Sequence, residues 1–256
     1  MSLTPPARRE PVFNVPSVIL GVLALLALIH VARWLFLSDQ EDLEFVLLFA
    51  FIPARYDPSL LVGGAIPGGL GAQIWSFVTY SVLHADSMHL GFNALWLLAF
   101  GSAVARRFGA VRFLVFFAVT AAAGALVHLM THHAALSPMI GASASISGAM
   151  AVAMRFAFQR GGPLGFWPTG NDDAYRVPAL PLSGVLRDPR VLAFLLVWFG
   201  VNFLFGVGTV PFAGEGQTIA WEAHIGGFLA GLLLFDLFDP KQPPADPVTY
   251  ADRGAA

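Results

Sequence analysis

Met139-Ile140-Gly141-Ala142-Ser143-Ala144-Ser145-Ile146-Ser147-Gly148-Ala149-Met150 sets three serines among small and apolar residues, and an apolar run continues to Phe158. No charge lies within these twelve residues. Small residues let helices approach closely in lipid, and serine hydroxyls bond back to the preceding turn, so packing alone explains the pattern. A hydroxyl at the start of an apolar helix is also a place for an activated nucleophile. Taken by itself the stretch favours packing, and the rest of the chain has to decide.

Composition places that stretch in a membrane. The 256 residues are 57% hydrophobic and 12% charged, with a mean hydropathy of +0.70. Soluble domains carry about 25% charged residues, and several apolar runs here approach the roughly 20 residues of a spanning helix. A net charge of −2, with no basic run or stacking-aromatic pattern, gives no support for nucleic acid as a partner. Cysteine is absent, which excludes disulfides, thiol catalysis and cysteine metal sites. No repeat of fixed period is visible.

Six spans are expected: Ser17–Leu37, Ser87–Ala105, Val111–Met130, Ser143–Phe158, Arg190–Val207 and Glu222–Phe238. The first lacks the short apolar core and small-residue cleavage site of a signal peptide, so it reads as a retained helix. His30 and Arg33 near its far end are assigned structural roles. Between the first two spans, Ser38–Ser76 is acidic, with Leu43–Pro53 apolar but too short to span. That segment is expected in the interface or against the bundle side. Gly63, Gly64, Gly68, Gly69 and Gly71 mark a flexible stretch. Gln159–Pro189 reads as a solvent loop, and the Pro-rich tail as disordered. An even number of spans puts both termini on one side. Arg8, Arg9, Arg106, Arg107, Arg112, Arg155, Arg160, Arg176, Arg187, Arg190 and Lys241 fall there too. The positive-inside rule makes that side cytoplasmic.

Polar residues inside spans are costly and are functional suspects by default. Ser143 lies twelve residues before Arg155, His224 twelve before Asp236, and Asn93 thirteen before Arg106. At 1.5 Å per residue these are heights of roughly 18–20 Å above the inner boundary. In a core about 30 Å thick, all three sit roughly 10 Å below the outer surface. That shared depth turns the reading away from packing. Neutral imidazole is a suitable general base for a serine hydroxyl, so Ser143 and His224 form a nucleophile–base pair. His89 and Asn93, at i and i+4, share a helix face and are candidate donors to an oxyanion, joined by the backbone N–H of Ser143. Gly227 and Gly231 on the sixth span, with Ala144 and Gly148 on the fourth, form small-residue faces that permit the close approach a Ser–His bond needs. The short fourth helix would leave a depression above Ser143, with the Gly208–Trp221 loop as its cover.

His89-x-x-x-Asn93, Gly141-x-Ser143 and Ala223-His224-x-Gly226-Gly227, in that order, resemble the rhomboid intramembrane serine proteases. The resemblance runs from about Phe77 to Asp236. It implies an all-α six-transmembrane-helix bundle and a Ser143–His224 dyad without a third acid. It also implies an oxyanion site served by His89 and Asn93, and cleavage of membrane-anchored substrates near small residues in unstable helices. Ala144 stands where the family's GxSG motif has glycine, and its methyl is expected to bear on the oxyanion site or the helix contact. Ala105 replaces a frequent acidic residue four places after Gly101, and a frequent Trp-Arg pair is missing from the first loop.

Other polar residues receive plainer readings. Ser145 and Ser147 are packing or back-bonding groups, with Ser147 on the face of Ser143. Glu222 is a rim residue, His84 and Asp86 order the loop before the second span, and Asn202 hydrogen-bonds within the bundle. His128 and His132, at i and i+4 with His133 adjacent, have the spacing of metal ligands. A metalloprotease would carry HExxH and the Glu is missing, so an interfacial structural pair is the reading. No metal and no cofactor are expected. The chain divides into an N-terminal cytoplasmic segment (1–16), a membrane domain (17–238) and a cytoplasmic tail (239–256). Its expected partners are transmembrane protein substrates and the lipid bilayer, in a bacterial plasma (inner) membrane; no oligomeric state is implied. The rival is an inactive relative that binds transmembrane helices as a chaperone or trafficking factor, but such relatives usually lack the Ser or His present here. A small transporter would show broken helices with charged midplane residues, and neither is obvious.

Overall fold

The computed structural model of the chain describes residues 15–57, 59, 66–165, 172–206 and 220–240. Arg8, Arg9, Gly63, Gly64, most of the Gly208–Trp221 loop and the tail from Lys241 onward lie outside the described residues. Among the described residues the chain is helical, with β pairing limited to a single bridge between Phe51 and Met139.

Helix α1 (Ser17–Phe36) starts behind Pro16, whose fixed φ suits a helix start. Helix α2 (Asp39–Phe49) begins earlier than the apolar Leu43–Pro53 segment suggests. Ser38 and Glu41 close a capping box there, each side chain bonding the other's backbone N–H. Arg33 grips Asp42 with two bonds of 2.6 and 2.9 Å and donates to the His84 carbonyl, so the far end of α1 is tied to α2. This matches the structural role expected of Arg33. Helix α3 (Gly69–Thr79) stands where a flexible stretch was expected. Gly68, at φ +102°, supplies the left-handed entry, and packing of α3 against α2 and a later helix offsets the poor propensity of its glycines.

Five further long helices complete the bundle among the described residues. Helix α4 (Ser87–Phe108) is capped by Asp86, which accepts the His89 N–H at 2.8 Å, and widens into a π turn over Leu97–Gly101. Gly109, at φ +81°, breaks it from α5 (Ala110–Thr131). Helix α6 (Ser143–Met154) ends four residues short of the expected Phe158, and α7 (Pro189–Gly206) and α8 (Trp221–Phe238) follow. Among the described residues, α1, α4, α5 and α8 are long and apolar enough to cross a membrane, while α6 and Pro189–Leu204 of α7 are shorter apolar helices.

The core is built around the shortest of these. Every residue of α6 from Ala144 to Met154 is buried, enclosed chiefly by α5 and α8. The enclosure works because glycines replace side chains at the contacts. A Cβ on Gly227 would lie 2.0 Å from the Ala144 carbonyl oxygen, and one on Gly231 would lie 2.3 Å from that of Gly148. The faces expected from sequence, Gly227/Gly231 against Ala144/Gly148, therefore meet backbone to backbone.

Arginines fasten the end of the bundle away from Ser143. Arg107 is buried, bonds Asp239 at 2.7 and 2.9 Å, and donates to the carbonyls of Tyr175 and Val177. Arg155 donates to the Leu180 carbonyl and lies over the Phe235 ring. Ala174 and Val185 are buried as a result. The segment expected as a solvent loop is thus partly packed, because two of the arginines counted as surface charges point inward to its carbonyls.

Candidate active site

Ser143 opens α6 and His224 lies in the first turn of α8, and their side chains meet: His224 Nε2 is 2.8 Å from Ser143 Oγ. The contact spans 81 residues of sequence and rests on the glycine-to-backbone meeting of the two helices. A hydrogen bond of this length is the geometry a nucleophile–base pair needs. As the first residue of α6, Ser143 has no intrahelical partner for its N–H, which leaves that donor available beside its own hydroxyl.

A third residue fixes the imidazole. Asn202 of α7 is buried and its Nδ2 donates to the Trp198 carbonyl at 2.8 Å, turning Oδ1 toward His224 Nδ1, with which it is hydrogen-bonded. An amide oxygen only accepts, so His224 carries its proton on Nδ1 and presents the Nε2 lone pair to Ser143 Oγ. The sequence marked Asn202 as a hydrogen-bonding group within the bundle without linking it to His224. The available signal was a lone carboxamide in an apolar helix.

His89 approaches the same place from α4. Its Nδ1 accepts the Ala85 N–H at 3.4 Å, which leaves the ring proton on Nε2 as a donor. A Cβ built on Gly141, where φ is +120°, would lie 2.7 Å from His89 Nε2 and 3.8 Å from Ser143 Oγ. Ring and hydroxyl therefore flank one bare backbone position, which only glycine can fill. Asn93, one turn on, is buried; its Nδ2 donates to the His89 carbonyl at 2.9 Å and its Oδ1 has no partner among the described residues. His84 packs edge-on to His89 with ring centroids 5.0 Å apart. Burial, and then the neighbouring His89, push His84 down to about 3, so it is a neutral wall behind that ring at pH 7.

The methyl of Ala144 has its own accommodation. Ala144 is buried, and a Cβ on Gly124 of α5 would come within 2.6 Å of the Ala144 Cβ. The methyl fills the space vacated by Gly124 and so bears on the contact between helices. Ala144→Gly is accordingly expected to cost about 1–2 kcal/mol, one buried methyl plus the glycine penalty in a helix. The folded protein should keep the expected cleavage activity within a few-fold of the parent, as read by melting in detergent alongside a single-turnover assay.

The remaining serines are accounted for by packing. Ser145 Oγ donates to the Phe117 carbonyl at 2.7 Å and Ser147 Oγ back to the Ser143 carbonyl at 2.8 Å. Asp86 caps α4, in keeping with the loop-ordering role expected of it. Glu222 is not a rim residue: it is largely covered and faces His128 and His132.

A family model described as "Rhomboid domain" matches residues 71–239. A rhomboid protease GlpG of Enterobacter sp. (strain 638) is 25% identical over 191 residues, which is 74% of this chain and 58% of that protein. A rhomboid-like protease 3 of Toxoplasma gondii is 27% identical over 196 residues, 73% of this chain and 62% of its own. A rhomboid protease GlpG of Klebsiella pneumoniae is 26% identical over 179 residues, 70% of this chain and 50% of its own. The chain thus spans between half and about three-fifths of the length of these relatives.

Proposed function

This chain is an integral membrane protein of the rhomboid family, and we propose that it is an intramembrane serine endopeptidase acting on transmembrane protein substrates. The observation that carries the reading is the 2.8 Å contact between Ser143 Oγ and His224 Nε2, with the far nitrogen of the ring held by Asn202. The reading includes six spans, with α6 and α7 as the fourth and fifth, and cytoplasmic termini in a bacterial inner membrane. It takes 17–238 as the membrane domain, flanked by an N-terminal segment (1–16) and a tail (239–256). The twelve residues of α6 rise about 18 Å, less than the roughly 30 Å of a bilayer core. Ser143 then lies below the outer surface, at the foot of a depression through which water and an unwound substrate segment enter.

In this mechanism Ser143 Oγ attacks the carbonyl carbon of a substrate peptide bond while its proton passes to His224 Nε2. The oxyanion that forms takes hydrogen bonds from the Ser143 N–H, His89 Nε2–H and the Asn93 amide, donors fixed before the charge develops. The C–N bond breaks as His224 returns its proton to the leaving amine, and the acyl group stays on Ser143. Water, deprotonated by His224, attacks the ester carbon; the C–Oγ bond breaks as His224 returns that proton to Ser143 Oγ, and the new carboxylate leaves. No cofactor takes part.

Active-site labelling tests the assignment. A fluorophosphonate is expected to label the wild-type protein and not Ser143→Ala. Asn202→Leu removes the acceptor that sets the imidazole tautomer, and its labelling rate should fall on the order of a hundredfold, the effect of a misplaced catalytic group. Undiminished labelling of Ser143→Ala would place the reactive hydroxyl elsewhere.

A further inference from the structure

The outer end of α5 and the first turn of α8 bring together three side chains that the proteolytic chemistry does not use. His128 and His132 stand one turn apart on α5, their rings stacked with centroids 4.9 Å apart. Glu222 of α8 turns its carboxylate to both, with Oε2 4.0 Å from His128 Nδ1 and Oε1 3.6 Å from His132 Nε2. One donor atom from each residue lies within 4.8 Å of the other two. These separations are too long for hydrogen bonds, and His128 Nδ1 is buried without a hydrogen-bond partner among the described residues.

The hydrogen bonds around His132 define what faces Glu222. Thr131 Oγ1 donates to the carbonyls of Val127 and His128, at 3.0 and 3.2 Å. With that one proton turned to the carbonyls, its oxygen is placed to accept from His132 Nδ1 across their 2.9 Å contact. That puts the ring proton on Nδ1 and leaves a bare lone pair on Nε2, the atom turned to the carboxylate. The His132 Nε2 lone pair then faces the Glu222 carboxylate at 3.6 Å, an arrangement that a cation relieves. A hydrogen bond that holds the far ring N–H is also what orients a metal-bound histidine.

We propose that His128, His132 and Glu222 bind a divalent zinc-type cation that clamps the start of α8 to the end of α5. Two imidazoles and one carboxylate suit zinc, whereas calcium and magnesium prefer oxygen-only shells. Zinc ligands at 2.0–2.2 Å stand about 3.4 Å apart in a tetrahedron, so small side-chain rotations close the present separations. The His132 side chain is 42% exposed, which gives the ion a route in and leaves a fourth position for water. The carboxylate that the helix motif lacks is thus supplied from another helix. Glu222 is two residues from His224, so the ion would tether the turn that carries His224 while remaining separate from the hydrolytic chemistry.

The test uses tag-free full-length protein in detergent, stripped with EDTA and desalted, then titrated with zinc sulfate. One zinc per chain should be retained through gel filtration, by elemental analysis, with a rise of several degrees in the melting temperature; magnesium should produce neither. Glu222→Gln, which preserves shape, and His132→Ala, at an exposed position, should each weaken zinc binding at least tenfold. Ser143→Ala should bind zinc as the parent does, which separates this site from the proteolytic reading. Failure of the parent protein to retain zinc overturns the proposal. So does equal binding by the parent, Glu222→Gln and His132→Ala, which would leave Glu222 and the histidines as a proton-bridged contact.

Discussion

Ser143→Ala and His224→Ala are each expected to lower cleavage of a model transmembrane substrate by about 10⁴–10⁶-fold in kcat, with little change in melting temperature. The size follows from the way a nucleophile and its base act as one unit: removing either leaves only binding and oxyanion stabilisation. For the same reason the double substitution should be no slower than the slower of the two single ones. The small effect on stability follows from the bond itself, a single side-chain contact between two half-buried groups, worth about 1 kcal/mol. Purified protein in detergent or liposomes, with the substrate fragments resolved by mass spectrometry, provides the measurement. Cleavage by Ser143→Ala at the parental rate would remove the dyad from the mechanism. A further loss in the double variant would show that the two residues contribute separately, contrary to a shared proton transfer.

The bundle was largely legible because its signals are local. Uninterrupted apolar runs mark α1, α4, α5 and α8, and the regular 1.5 Å rise lets depth be counted from charged ends, which pairs Ser143 with His224. Two contacts between side chains of neighbouring helices were not legible. Asn202 reaches His224 and Glu222 reaches His128 because α7 and α5 each pack beside α8, a relation that no periodicity records. Helix α3 was obscured for the opposite reason: its glycines carry a strong local signal for flexibility that tertiary packing overrides. Arg107 and Arg155 were counted as surface cations by composition, yet their guanidinium groups satisfy the carbonyls of the 172–188 segment.

Gly227→Val should be among the most damaging substitutions on the structural side, and it separates packing from chemistry. A Cβ at this position would meet the Ala144 carbonyl oxygen at 2.0 Å and its carbonyl carbon at 2.6 Å. Both atoms belong to the backbone of α6, so no rotamer change relieves the overlap and the helices must separate by more than an ångström. Core overpacking ordinarily costs about 1–3 kcal/mol, and a backbone collision that two β-branched methyls enlarge lies at or beyond the upper end. A fall in melting temperature on the order of 10 °C follows. Gly227→Ala, with the smaller group, should stay folded while activity drops by about a hundredfold or more, because the Ser143–His224 contact spans the interface being wedged open. Gly200→Ala is the matched control: none of the described residues lies within 4 Å of its added methyl, and alanine is the better helix former, so stability should hold or rise slightly. Parental activity in Gly227→Ala would mean that α6 and α8 can part without separating Ser143 from His224, and the backbone contact would then be structural only.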